Sequence, residues 1–178
     1  MNDDDDPLYR SWMIRGSFFN RMLDCGDSNQ WVQNALEYLP RDVLDEHKER
    51  LVIIAMGNKD GCRLTPSFCK NREIIVLSER VLPKPLMAED HPHIRYFIFV
   101  ILHEVAHAIR NHRSPIYDSL TESEANAQEK EADDLAFQWF NEHVMELQNP
   151  YLLPITPEEV QIAEVKNQAE MKRIYNGA

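Results

Sequence analysis

Long apolar runs are missing from this chain. The longest uninterrupted one, Phe97 to Leu102, is far too short to span a bilayer and leads directly into a His-Glu pair, so no membrane partner is expected. Cysteines are few and odd in number: Cys25, Cys62 and Cys69 lack the CxxC spacing of a structural zinc site, which points to reduced thiols. Basic residues are in deficit, 19 against 30 acidic ones. The net charge of −11 disfavours a phosphate-binding surface, so nucleic acid is not an expected ligand. The opening Met-Asn-Asp-Asp-Asp-Asp-Pro lacks the basic start and apolar continuation of a secretory signal. The expectation is a cytoplasmic protein whose residues 1–7 are a disordered acidic tail.

What the chain does hold is three polar groups inside an otherwise apolar stretch, Tyr96 to Arg110. In a helix His103 and His107 project from one face, one turn apart, at a spacing that suits two ligands of one metal ion. Glu104, offset by about 100°, stands beside the pair and could polarise a water instead of binding the metal. This is the HExxH arrangement of zinc peptidases. Val100, Ile101, Leu102, Val105, Ala106, Ala108 and Ile109 make the helix apolar on every side, hence a core helix, and a metal would satisfy its polar groups together.

Ahead of that helix, Tyr9 to Leu23 reads as an irregular aromatic-rich helix, Asp27 or Ser28 as the cap of a helix to about Leu39, and Arg41 to Glu49 as a short polar helix. The period then changes. Leu51 to Met56, Cys62 to Phe68 and Glu73 to Leu77 predict a small antiparallel three-stranded sheet, with Pro66 confining the middle segment to an edge that could accept an extended peptide. Asp90 is a candidate cap for the metal helix, and His91 and His93 read as solvent-facing. His112 reaches the site only through a sharp chain reversal and is discounted as a ligand.

A catalytic zinc takes three protein ligands and a water, so one more group is required. Thr121-Glu-Ser-Glu124 is a capping box opening a helix to about Val144. Ala125, Ala132, Ala136 and Phe140 form its narrow apolar stripe, and Glu129 and Asp133 fall inside it. Two carboxylates one turn apart on a buried face need partners. Glu129 as third ligand and Asp133 as acceptor from the ligating His103 account for both. A further capping box, Thr156-Pro-Glu-Glu159, starts a last helix to about Tyr175.

His103-Glu-Val-Ala-His107 followed by Gln128-Glu129-Lys-Glu-Ala-Asp133 resembles the gluzincin metallopeptidases, most of all their minimal soluble bacterial and phage members, over about Leu51 to Val144. Thermolysin-like members carry Asn where this chain has Gln128. The resemblance implies an α+β zincin-like metallopeptidase domain over residues 8–149 with a C-terminal helical extension over 150–178. It also implies one Zn2+ per chain and a peptide or protein substrate. Glu104 is the expected general base, and Tyr117, His112, Arg110 and His143 are the candidate oxyanion donors. The alternative is a non-catalytic, zinc-stabilised peptide-binding or regulatory protein.

Overall fold

The computed structural model describes residues 23–24, 28–55, 61–64, 73–78, 81–83, 90–114, 118–149 and 152–175. The expected tail over 1–7 and helix over most of 9–23 lie outside them. The fold is α+β. Among the described residues it has five helices, α1 (Asn29–Leu36), α2 (Arg41–His47), α3 (Pro92–Ile109), α4 (Glu122–Leu147) and α5 (Pro157–Tyr175). Four strands accompany them, β1 (Leu23–Asp24), β2 (Leu51–Ala55), β3 (Gly61–Leu64) and β4 (Glu73–Leu77).

The sheet corrects the antiparallel three-stranded expectation. Its order is β1-β2-β4-β3, with β1 and β4 both parallel to β2 and only β3 antiparallel to β4. Leu51 lies opposite Glu73 and Ala55 opposite Leu77, so β4 inserts between the two strands that precede it. The reason is hydropathy. β2 and β4 are the two strands with an apolar residue at nearly every position, and their alternate residues Leu51, Ile53, Ile75 and Leu77 are fully buried. Such strands gain most from a central position, whereas the shorter β3, with Arg63, takes the edge. Leu23, expected at a helix end, pairs in β1 with Ile53.

The helix α3 is the element around which the rest packs. Pro92 occupies its first turn, and His91, not Asp90, is its N-cap, with His91 Nδ1 accepting from the His93 amide at 3.1 Å. Ile94, Phe97, Ile101, Leu102, Val105 and Ala106 are fully buried, each contributing roughly 1–3 kcal/mol of hydrophobic stabilisation. It packs against α1, α4, α5 and the β3–β4 side of the sheet. That enclosure satisfies a helix apolar on all sides.

The helix α4 begins at the expected capping box: the Glu124 amide donates to Thr121 Oγ1 at 3.2 Å, and the Thr121 amide donates to Glu124 Oε2 at 2.8 Å. Ala132, Ala136 and Phe140 of its stripe are buried against α3. The second capping box forms only by half. The Glu159 amide donates to Thr156 Oγ1, but the Glu159 carboxylate is taken by Arg95 of α3.

Arg95 is buried and fully engaged. Its Nε and one Nη donate to Glu159 at 2.6 and 2.9 Å, and the guanidinium also donates to the carbonyls of Leu153 and Pro154 at 2.7 and 3.1 Å. It lies 5.3 Å from the Phe140 ring centroid. The C-terminal helix is thereby tied to the core. Arg95→Met should cost about 2 kcal/mol or more of stability in urea denaturation, since it leaves two carbonyls and a carboxylate without their charged donor. Unchanged stability would show that α5 is held by apolar contacts alone.

Candidate metal centre

Two helices bring four of the expected residues together. His103 and His107 stand one turn apart on α3, with their Nε2 atoms 3.0 Å from each other. From α4, Glu129 Oε2 lies 3.4 Å from His103 Nε2 and 3.7 Å from His107 Nε2. One donor atom from each of these residues lies within 4.8 Å of the others, close enough to hold a metal ion. The fit is good, because bond lengths near 2.0–2.1 Å in a tetrahedral zinc site give ligand-to-ligand edges of about 3.3 Å.

Behind this set, Asp133 Oδ1 lies 2.8 Å from His103 Nδ1. The carboxylate accepts the Nδ1 proton, so Nε2 is the ring atom that faces Glu129 and His107. Glu104 is buried on α3, and its charge acts on His103.

The carboxylates are less enclosed than the stripe on α4 implies. The side chains of Glu129 and Asp133 are 57 % and 48 % exposed, against 16 % and 11 % for His103 and His107. The histidines are therefore the enclosed side of the cluster and the acids form its exposed rim. Burial alone does not force the acids to find a cation; their convergence on two imidazoles does.

The same groups favour a proton on the imidazole pair. Two facing imidazole lone pairs at 3.0 Å repel, so one Nε2 carries hydrogen. Burial works to lower the pKa of His103, but hydrogen bonds to Asp133 and Glu129 and the negative charges of Glu104 and Asp133 outweigh it and raise the value to about 10. Hydrogen bonds from His103 and His107 hold the Glu129 carboxyl well below the usual carboxylate range.

The expected oxyanion donors fare differently. Tyr117 lies outside the described residues. Arg110 is half-exposed, with its Nε 3.1 Å from Glu131 Oε1. His143 stacks on Tyr38 at a centroid distance of 4.2 Å, ten residues beyond Asp133 on α4, or about 15 Å along the axis, and is not brought to the site. His112 is buried, with Nδ1 2.9 Å from His107 Nδ1 and Nε2 3.2 Å from Glu131 Oε2, on the side of His107 away from Glu129.

The reversal that carries His112 there is a Schellman motif. Asn111 has φ 51°, its amide donates to the Ala108 carbonyl, and the His112 amide donates to that of His107. An Asn immediately after the last helical residues is the sequence signal for it, since Asn tolerates the left-handed region. Gln128 is the other residue whose role spacing did not reveal. Its amide group accepts from the Arg113 N–H at 2.8 Å and donates to the Arg113 carbonyl at 3.1 Å, clamping the loop after α3 to the turn that carries Glu129.

Residues 96–156 match the family model of Peptidase U49. That match supports a peptidase, hence a hydrolase acting on peptide or protein substrates. It spans His103, His107, Glu129 and Asp133 together with all of α4. No curated protein and no solved structure matches the chain. Among the described residues, no helix is long and apolar enough to cross a membrane.

A divalent metal entering this cluster must displace the His103 proton. Calorimetric titration of zinc at pH 7.5, in buffers of different ionisation enthalpy, should therefore report release of about one proton per ion and an affinity that falls as pH falls. The sign for the metal-free fold is opposite on the alkaline side. The stabilisation due to His103 is fully present below pH 6.5 and is lost as pH rises through about 10. Zinc uptake without proton release would contradict this account of the cluster.

Proposed function

We propose that the protein is a zinc-dependent metallopeptidase of gluzincin type, in which His103, His107 and Glu129 hold the metal and Glu104 is the general base. The observation that carries this reading is the convergence of three donor atoms, two from α3 and one from α4, at spacings that suit one tetrahedral ion. The peptidase match over the same two helices adds the reaction class.

When bound, zinc would supply Lewis acidity, lowering the pKa of a water toward neutrality and polarising the scissile carbonyl. The chain does the rest. Asp133 keeps the Nδ1 proton on His103 and so keeps its Nε2 available. Glu104 follows His103 directly on the helix and is buried, so it is held in one place relative to the ligands. It accepts the proton of the attacking water and returns it to the leaving amine, since an amide nitrogen cannot depart as an anion. The edge of the sheet at β3 offers backbone groups to which an extended peptide could add as a strand.

Glu104→Gln should bind zinc stoichiometrically by elemental analysis yet hydrolyse an unbiased peptide mixture at least about a hundredfold more slowly than the unaltered chain. Retained hydrolysis in that variant rules out Glu104 as the base. An unaltered chain that binds zinc tightly but cleaves nothing would favour the peptide-binding alternative.

A further inference from the structure

We propose that His112 is a positioning residue for the metal centre: it fixes the ring of His107 through its Nδ1 atom, so that His107 offers its Nε2 lone pair to the ion. This rests on the zinc reading above and adds to it a residue that the HExxH pattern does not contain.

The polarity of the hydrogen-bond chain carries the inference. Glu131 Oε2, an acceptor, lies 3.2 Å from His112 Nε2, so a neutral His112 carries its proton on Nε2 and leaves its Nδ1 as an acceptor. That Nδ1 lies 2.9 Å from His107 Nδ1, which must then be the donor. A neutral imidazole with its proton on Nδ1 has its lone pair on Nε2, the atom that faces His103 and Glu129. The Arg110 guanidinium forms an ion pair with the other oxygen of Glu131, its Nε 3.1 Å away. The alternative assignment would set an imidazole lone pair against a carboxylate. The two ligand histidines thus have parallel supports, with His103 backed directly by Asp133 and His107 backed by Glu131 through His112.

The placement of His112 is also over-determined. The Schellman motif at Asn111 turns the chain back, and in that motif the side chain two residues past the helix packs on the one in its last turn, here His107. The next residue is then held on α4: the Arg113 backbone N–H and C=O pair with the Gln128 side-chain amide, and the Arg113 guanidinium donates to Glu124 at 2.7 Å. His112 itself is buried. A side chain so confined limits rotation of the ring it touches. The same placement turns it away from the cleft, which accounts for its failure to serve as a third ligand.

The test is zinc affinity of the full chain, measured by competition with a chromophoric chelator, together with the visible spectrum of the cobalt-loaded protein. His112→Leu should fold and bind zinc about 10- to 100-fold more weakly, with altered cobalt bands. His112→Asn, whose side-chain oxygen can accept the same hydrogen bond, should recover most of the loss, and Glu131→Gln should lose a few-fold. Affinity in His112→Leu equal to that of the unaltered chain, or His112→Asn as weak as His112→Leu, overturns the proposal. Should His112→Leu fail to fold, Glu131→Gln at its half-exposed position decides, and undiminished affinity there overturns it. A chain that takes up no zinc at all sinks the metallopeptidase reading and this proposal with it, whereas tight zinc binding indifferent to His112 sinks this proposal alone.

Discussion

The close approach of α4 to α3 is the constraint on which the site depends. Carboxylates reach only a few ångströms from their helix, and Glu129 can meet the two imidazoles because α4 presents nothing bulkier than a methyl group at the buried positions Ala132 and Ala136. The apolar stripe of α4 is poor in large side chains in its first half and rich in them in its second, where Trp139, Phe140 and Val144 are buried. The first half serves proximity and the second serves stability. Packing at one end of the helix thereby sets the distance available at the other.

Electrostatics then selects what the cleft can hold. Three carboxylates, Glu104, Glu129 and Asp133, act on an imidazole pair, and in the metal-free protein they retain a proton on His103 well above the ordinary histidine range. A divalent ion would satisfy the same groups with more charge. Glu129 and Asp133 stand at a half-exposed rim instead of in a dry interior, so contact with solvent is compatible with the strength of the cluster.

Around the centre, the connections behave as fasteners more than as linkers. The turn at Asn111 and the Arg113–Gln128 exchange bind the end of α3 to the start of α4, while Arg95 binds the other end of α3 to the segment leading into α5. Between these two ends lies the turn that carries both histidines. A helix fixed at each end holds its side chains in place, as a metal site would require.

Local chemistry is legible in the amino-acid order alone: His103, Glu104 and His107 share a helix because periodicity is a property of consecutive residues, and the capping box at Thr121 marks where the carboxylate helix starts. Glu129 and Asp133 are legible as anomalies, being charged positions on an apolar stripe, although their half-exposure shows that the stripe is a rim there. Sheet order is not legible. The Gly57-Asn58-Lys59-Asp60 stretch between β2 and β3 is a hairpin signal that would make them neighbours, but the preference of the most apolar strands for the centre overrides it, so β4 pairs parallel with β2. The place of His112 likewise belongs to tertiary structure, because a single left-handed residue at Asn111 redirects the chain and only the contacts made after that turn decide what the histidine touches.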